Sequence, residues 1–380
     1  MNKHHTIIIA GAGGIAQAVA LILAEWSTVT PTIFIGNRTL SKAQNLVKWI
    51  EEGITKSCIL RPFHLSEDGF SEETKALFSQ GDILLDCLPG TQAPKMAGYA
   101  KDYNLHYANL TEYVAETSAI KTLAKDASTG FILQTGLAPG YINVLANHLF
   151  KEFCNDFQVS KADTLEFKVG ALSKNAVAPH YYGFTWSPVG VATEYIKETE
   201  VIRKYKKTKR PSLSERTSII INGITYEADL TSGGAADLPD ALAGKVDAMD
   251  YKTIRFPGHY AWAEEQIKKV SDSDQPIKAL QLIMEKQIPH IEEDQIIIYA
   301  AVQGKDTNGT LQRREIAKQI LPQRIGKYQL RAIQTTTAAS LIQSAQLLLE
   351  STLKGVILQS NIDPKSFLNG NFIIPIYGNV

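Results

Sequence analysis

The chain of 380 residues is long enough to form two domains of ordinary size, each with its own core. It carries 39 Lys and Arg against 39 Asp and Glu, and this balance argues against binding to nucleic acid or to an anionic membrane surface. Its three widely spaced cysteines fit neither a disulfide framework nor a zinc site, and without a signal peptide or a membrane-spanning run we expect a cytoplasmic protein.

The chain opens with a β-branched apolar run, a glycine-rich turn and an apolar helix. Residues 6–10 predict a buried strand, and a helix follows from about residue 15 to residue 25. This order is typical of the first unit of a dinucleotide-binding fold, in which the glycines let the backbone approach a pyrophosphate at the helix N-terminus. The predicted cofactor-binding residues here are Gly11, Gly13, Gly14 and Ile15. The alternative is a glycine turn that binds nothing.

The second strand, residues 31–36, ends in Asn37-Arg38-Thr39. An acidic residue at this place would hold the ribose hydroxyls of NAD, and here it is replaced by Asn37 followed by an arginine. A guanidinium suits a 2′-phosphate through its charge and its paired hydrogen bonds. We therefore predict that Asn37, Arg38 and Thr39 bind NADP in preference to NAD. The alternative is that Arg38 is a solvated residue at a helix start and that the protein uses either cofactor.

Strands and helices continue to alternate over roughly the first 140 residues, which predicts a doubly wound parallel sheet. Further strands are predicted at residues 59–63, 82–88, 105–111 and 131–136, with helices at 39–52, 71–78 and 115–127. Ligands of such sheets bind at the carboxyl ends of the strands. We expect Leu88, Pro89 and Gly90 to lie along the nicotinamide ribose of the cofactor, and we expect Glu112 and Tyr113 to bind substrate or carry protons beside the nicotinamide. An exposed loop Glu and a partly packed Tyr are the alternative for that pair.

The sequence changes character after Gly136, where longer strand-like runs predict a largely antiparallel mixed sheet. Residues 217–221 and 225–230 flank Asn222-Gly223, which is a strong hairpin signal. The other predicted strands are residues 164–171, 251–256, 295–303 and 310–317, and a helix is predicted at 336–353. The basic segment 203–211 is predicted to be a solvated loop.

Three further segments of the second part carry candidate site residues. An aromatic-rich segment contains Trp186 and Ser187, which we predict to bind substrate. Arg255 ends a predicted strand and is a candidate ligand for an amino-acid carboxylate. His259 begins a predicted helix and is a candidate acid–base, with hydrogen bonding at the helix entry as the alternative. No spacing of metal ligands is present, so no metal is expected.

Several segments together resemble the saccharopine dehydrogenase family, including its saccharopine reductase and lysine 6-dehydrogenase branches. They are residues 11–16, 37–43, 136–140, 185–188, 250–259 and 335–339. The resemblance implies a dinucleotide-binding domain over residues 1–140, an α+β substrate domain over 141–334, and a C-terminal helix and tail, 335–380, that returns to the first domain. It also implies hydride transfer between a nicotinamide and a C–N bond of lysine, saccharopine or a related small molecule.

The two halves of the chain resemble different branches, so the substrate stays open. The arginine-bearing cofactor loop resembles the NADP-using reductases, whereas Pro188-Val189 stands where that branch tends to have an arginine. A carboxynorspermidine dehydrogenase-like enzyme of polyamine synthesis and a non-catalytic NADP-binding sensor are the alternatives. An exposed face on the sheet of the second domain would favour a homodimer, which is the assembly we expect.

Overall fold

The computed structural model describes residue 1 and residues 3–380, and the chain divides into two compact units. The first unit consists of Met1–Tyr141, Gln323–Leu330 and Gln334–Val380. The second consists of Ile142–Pro322 and Arg331–Ile333.

Strands and helices alternate along the N-terminal part of the first unit. These elements are β1 (Thr6–Ala10), α1 (Gly14–Trp26), β2 (Thr32–Asn37), α2 (Leu40–Gly53), β3 (Ile59–His64), α3 (Glu72–Phe78), β4 (Ile83–Asp86), α4 (Ala93–Asp102), β5 (His106–Asn109), α5 (Val114–Leu123) and β6 (Gly130–Ile132). A short 3-10 turn, Gly90–Gln92, leads into α4.

The next elements build the second unit. They are α6 (Tyr141–Asp156), β7 (Ala162–Ser173), α7 (Pro188–Ile196), β8 (Thr199–Arg203), β9 (Lys206–Arg210), β10 (Thr217–Ile221), β11 (Ile224–Leu230), α8 (Leu238–Leu242), β12 (Val246–Arg255), α9 (His259–Lys268), α10 (Pro276–Gln287), β13 (Asp294–Lys305) and β14 (Leu311–Ile320).

The C-terminal part adds elements mainly to the first unit. They are β15 (Gln323–Ile325), β16 (Tyr328–Leu330), α11 (Ala332–Leu349), β17 (Gly355–Ile357), a 3-10 turn (Gln359–Asn361), α12 (Pro364–Leu368) and α13 (Ile374–Tyr377). β17 pairs in parallel with β6 and so adds the last strand to the sheet of the first unit.

Seven strands of the first unit form one parallel sheet in the order β17-β6-β5-β4-β1-β2-β3. β1 and β4 are buried along almost their whole length, as expected for a parallel sheet covered on both faces. The chain passes from β1 to β2 on one side, and β4 lies on the other, so the strand order reverses beside β1. Ligands bind near such a point at the carboxyl ends of the strands. The predicted doubly wound parallel sheet is confirmed.

The second unit contains an eight-stranded sheet whose main path is β10-β11-β12-β7-β13-β14, with β8 on β12 and β9 on β8. Only β7 and β12 pair in parallel, so the predicted, largely antiparallel mixed sheet is confirmed. Asn222 and Gly223 join β10 to β11 with φ angles of 51° and 78°, the positive values that a tight hairpin turn requires.

The prediction of a solvated loop for residues 203–211 is wrong. These residues include β9, which forms an antiparallel hairpin with β8. Two of the basic side chains form ion pairs across the hairpin: Lys207 lies 3.6 Å from Glu200 on β8, and Lys209 lies 4.0 Å from Glu198, which precedes β8. These cross-strand contacts favour a strand pair where the basic segment alone indicated a loop. α10, which the sequence analysis does not predict, packs against α7 in the same unit.

None of the helices in the described part of the chain has both the length and the apolar character needed to cross a lipid bilayer.

Candidate functional site

The turn after β1 brings the backbone of the glycine loop close to the end of β4. Gly11 has a φ of 117°, and a β-carbon at this position would lie 3.0 Å from the carbonyl oxygen of Cys87. A side chain would therefore suffer both backbone strain and a steric contact. The Cys87 N–H in turn donates to the carbonyl of Ala10 at 2.9 Å. Glycine at this position lets the two strand ends lie side by side.

The N-terminus of α1 faces open space. Gly13 precedes the helix, and a β-carbon built on it would meet no atom within 4 Å. No side chain caps the helix, and its first turn holds no acidic residue. Unpaired N–H groups and the positive end of the helix dipole thus point into a space that can take a phosphate. This geometry fits the pyrophosphate of a dinucleotide, and its binding by Gly13, Gly14 and Ile15 stays a prediction.

A cavity of about 240 Å³ lies at the carboxyl end of β2. Five of the predicted cofactor residues line it together: Asn37, Arg38, Thr39, Leu88 and Pro89. These residues come from two loops about 50 positions apart in the sequence, and the fold brings both loops to one cavity. In a doubly wound sheet this is the place for the adenosine end of a dinucleotide.

The charged groups of the cavity are mostly cationic. Arg38, Lys42 and Lys95 line it together with a single acid, Glu67. Asn37 occupies the strand end where NAD-binding proteins place an acid, and its side-chain amide donates to the Thr39 carbonyl at 3.1 Å. Three cations and the absence of a strand-end acid make this cavity suited to an anionic group.

The loop that follows β4 packs against the residues that follow β5. A β-carbon on Gly90 would lie 2.3 Å from Thr111 Oγ1 and 2.9 Å from Cδ2 of Tyr113. The absence of a side chain at Gly90 allows this close approach. The predicted cofactor loop and the predicted proton carriers Glu112 and Tyr113 are therefore neighbours in the first unit.

A buried acid holds the cofactor loop in place. The carboxylate of Asp86, at the end of β4, accepts the N–H of Leu88 at 3.0 Å and the hydroxyl of Tyr107 at 2.8 Å. Asp86 is 2 % exposed, and this burial raises its pKa to about 6. Asn109 extends the network, donating to the Tyr107 hydroxyl at 3.4 Å. Asp86 thus positions the backbone of the loop that lines the cavity.

Glu112 and Tyr113 stand at the entry to α5. Tyr113 immediately precedes the helix, and its N–H donates to Thr111 Oγ1 at 3.3 Å. Burial raises the pKa of the Tyr113 phenol, and the nearby carboxylates of Glu112 and Glu116 raise it further. The phenol therefore keeps its proton at neutral pH and can donate a hydrogen bond. The predicted roles of this pair stay predictions.

In the second unit, Arg255 ends β12 as a buried arginine. Its side chain is 1 % exposed. Its Nε donates to the hydroxyl of Tyr195 at 2.9 Å, its Nη1 donates to the carbonyl of Ile254 at 3.0 Å, and its guanidinium lies 4.6 Å from the ring centroid of Tyr182. These contacts keep the guanidinium among aromatic rings. Contact with a substrate carboxylate requires this packing to open, and that role stays a prediction.

His259 shares the Tyr195 hydroxyl with Arg255. The His259 ring is fully buried; its Nδ1 lies 2.6 Å from the carbonyl of His180 and its Nε2 2.9 Å from the Tyr195 hydroxyl. Because a carbonyl can only accept, Nδ1 carries the proton, Nε2 accepts from Tyr195, and the Tyr195 oxygen accepts from Arg255. Burial and the charge of Arg255 together lower the pKa of His259 to about 3. This geometry favours a positioning role, while the predicted acid–base role stays a prediction.

Trp186 and Ser187 form the entry to α7, the helix that carries Tyr195. The hydroxyl of Ser187 caps the helix by accepting the N–H of Gly190 at 3.3 Å. The indole of Trp186 lies against Gly190, where a β-carbon would come within 2.3 Å of the ring. Both residues thus have a structural task. Their predicted contact with substrate stays a prediction.

Sequence reasoning missed several residues of both candidate sites. Lys42 lies inside a segment that carried the family resemblance, so its position four residues after Arg38 was the available signal. Glu67 and Lys95 enter the cavity from distant parts of the chain, and no local pattern indicated them. Tyr195 is a single aromatic residue on an apolar helix and gave no signal either. Within the described residues, no group of three His, Cys, Asp or Glu side chains is placed to hold a metal ion.

Comparison with known families divides the chain at the same region where the sequence changes character. The family profile described as the saccharopine dehydrogenase NADP binding domain matches residues 7–133. The profile described as the saccharopine dehydrogenase C-terminal domain matches residues 136–370. The two matches together span nearly the whole chain.

Two solved structures share the fold over nearly their whole length. The first is the apo saccharopine dehydrogenase (L-Glu forming) of Saccharomyces cerevisiae, with a TM-score of 0.74, 13 % identity, and coverage of 98 % of this chain and 96 % of that one. The second is the homospermidine synthase of Legionella pneumophila in complex with NAD, with a TM-score of 0.65, 12 % identity, and coverage of 99 % and 90 %. At these identities the likeness concerns the fold.

Proposed function

The chain belongs to the saccharopine dehydrogenase family of oxidoreductases, and on that premise we propose that it transfers hydride at a C–N bond of lysine, saccharopine or a related amino acid, with NADP preferred. In this proposal the first unit binds the cofactor and the second binds the substrate. The cationic cavity beside Arg38 is the observation that supports NADP most directly, because it combines three basic side chains with Asn37 in place of the acid.

The reaction needs few protein groups, because a bound nicotinamide supplies the hydride acceptor or donor. In the oxidative direction a C–H bond of the amine breaks as hydride leaves, the nitrogen loses a proton, and the C=N bond that forms is hydrolysed by water. Glu112 is the group we propose to accept the proton. Tyr113, whose phenol stays protonated, is the residue we propose to donate a hydrogen bond beside Glu112.

The residues that we propose to bind the substrate lie in the second unit. Trp186, Ser187 and Arg255 are the residues we propose for substrate binding, with His259 holding Tyr195 in place. Pro188 begins α7 where the reductase branch tends to have an arginine, which weakens saccharopine itself as the substrate. A carboxynorspermidine-like substrate of polyamine synthesis is the second candidate.

Cofactor reduction by the purified protein tests the proposal. NADP and NAD are each combined with lysine, saccharopine, ornithine and carboxynorspermidine at alkaline pH, where loss of the amine proton is favoured, and the reduced nicotinamide is followed by its absorbance. The expected result is turnover with one amine and faster turnover with NADP than with NAD. Turnover with carboxynorspermidine alone would select the second candidate.

Absence of turnover in this direction calls for the reverse assay, with reduced cofactor and pairs of aldehyde and amino acid. If NADP binds tightly and neither direction proceeds, the enzymatic proposal is refuted and a cofactor-binding sensor takes its place.

A further inference from the structure

Glu67, the one acid among the described residues that line the cavity of the first unit, is held by two of the cations of this cavity. The Glu67 carboxylate accepts a hydrogen bond from Nη1 of Arg38 at 2.9 Å. The backbone carbonyl of Glu67 accepts Nζ of Lys95 at 2.5 Å. The same segment is fixed from the strand side, where the N–H of Leu65 donates to the carbonyl of Asn37 at 3.1 Å. Glu67 is thus positioned at the cavity by contacts from β2 and α4.

The contact with Glu67 engages Arg38, the cation that a 2′-phosphate would need. Arg38 is the arginine that follows β2, and its side chain is 75 % exposed, so it is accessible to a ligand. One of its five N–H donors already binds Glu67, and the carboxylate brings a negative charge to the place where a phosphate would bind. Lys42, by contrast, forms no ion pair within 4 Å in the described part of the chain and lines the same cavity.

We propose that Glu67 is a specificity-determining residue that competes with the 2′-phosphate of NADP for Arg38; this inference rests on the proposed NADP function. A phosphate must displace the carboxylate from the guanidinium, and it is repelled by that carboxylate if it stays nearby. A ribose hydroxyl has no charge to repel, and a carboxylate can accept its hydrogen bond. Glu67 therefore lowers the affinity for NADP without lowering the affinity for NAD.

The test is a binding measurement on the intact protein with Glu67→Gln. Glutamine keeps the length of the side chain and removes its charge. We expect the dissociation constant for NADP to fall by about three- to tenfold, because an exposed ion pair is weak and the added repulsion is partly screened. The dissociation constant for NAD should stay within twofold or rise. Isothermal titration calorimetry measures both, and catalytic turnover is not needed.

Glu72→Gln is the matched control. Glu72 is an exposed acid on α3 of the same unit and pairs with Lys75 at 2.7 Å, outside the cavity. The substitution Glu72→Gln removes the same charge from the unit, so it measures any general electrostatic gain in NADP affinity. The NADP affinity of this variant should match that of the wild type. Adenosine 2′,5′-bisphosphate and adenosine 5′-monophosphate serve as shorter probes, and only the first should bind more tightly to Glu67→Gln.

Two results would overturn the inference: an unchanged or weaker NADP affinity in Glu67→Gln, or an equal gain in Glu72→Gln. Arg38→Ala separates this failure from a failure of the proposed cofactor. If Arg38→Ala weakens NADP binding while Glu67→Gln has no effect, the site binds the 2′-phosphate and Glu67 does not compete for it. If Arg38→Ala leaves NADP binding intact, the NADP assignment itself is refuted.

Discussion

Burial of His259 gives the second unit a pH-dependent stability whose size follows from the structure. Burial and the charge of Arg255 lower the pKa of His259 from 6.5 to about 3. In the unfolded chain the ring regains an ordinary pKa, so between pH 6.5 and pH 3 the unfolded chain binds a proton that the folded chain does not. The free energy of unfolding must therefore fall as the pH is lowered through this window.

We expect His259→Gln to remove that part of the pH dependence. Glutamine does not titrate, and its side-chain carbonyl can still accept the Tyr195 hydroxyl. One pKa unit corresponds to about 1.4 kcal/mol, so acidification from pH 6.5 to pH 4 should lower the free energy of unfolding of the wild type by about 3 kcal/mol more than that of the variant. The variant is also less stable at pH 6.5, because it loses the contact with the His180 carbonyl, so only the change with pH is compared.

Urea unfolding at pH 6.5, 5 and 4, followed by tryptophan fluorescence, measures the difference. Trp262 is a suitable reporter, since its ring centroid lies 5.9 Å from that of His259. His290→Gln is the control, because it removes an exposed histidine of the same unit and should leave the wild-type pH dependence in place. An equal pH dependence in wild type and His259→Gln would refute the reasoning, since it would mean that the folded chain also protonates the ring near its ordinary pKa.

Three further variants test the first unit. Arg38→Ala should raise the dissociation constant for NADP about ten- to a hundredfold, because it removes charge-assisted hydrogen bonds to the 2′-phosphate, and it should change the dissociation constant for NAD less than twofold; calorimetry measures both. Lys48→Ala, which removes an exposed cation on α2, is the control. Equal losses of affinity for the two cofactors would contradict the assignment. Asp86→Asn should abolish a fall in the free energy of unfolding of about 2 kcal/mol between pH 4 and pH 6 in urea titrations, because the folded pKa of about 6 lies above the ordinary value of 3.8 and the folded chain holds the proton more tightly. If the variant keeps this fall, the fall belongs to another titrating group. In thermal unfolding, Gly90→Ala should lower the free energy of unfolding by about 1–3 kcal/mol, and the variant should bind dinucleotide more weakly, because the added β-carbon contacts Thr111. Gly98→Ala in α4, whose β-carbon would lie 3.9 Å from its nearest neighbour, is the control and should be neutral or stabilising in the same assay.

The parallel sheet of the first unit was predictable because its signals are local. A strand, a turn and a helix follow one another in the sequence as they do in the structure, and even the weakly indicated third strand forms as β3. The position of Asn37 and Leu88 at one edge of the sheet was also predictable, since Asn37 ends β2, Leu88 follows β4, and the carboxyl ends of parallel strands share an edge.

The partners of the charged residues were not predictable, because they are distant in sequence. Arg38 and Glu67 are separated by 29 residues, and Arg255 and Tyr195 by 60. The sequence does not distinguish an arginine at a strand end that binds a ligand from one that packs against a tyrosine. Only the fold shows that Arg38 is exposed at a cavity and that Arg255 is buried against aromatic rings.

Asp86 and His259 affect stability in opposite directions over the same pH range. Between pH 4 and pH 6 the contribution of Asp86 falls as the pH rises, because the folded chain holds its proton, while that of His259 rises, because the folded chain rejects a proton there. Each contribution changes by about 2 kcal/mol over this range, so their sum leaves a shallow dependence in the wild type. A flat profile of the whole chain is therefore compatible with two buried titrating groups. The groups lie in different units and share no hydrogen-bond partner among those described above, so each is measured by the difference between the wild type and its own neutral variant.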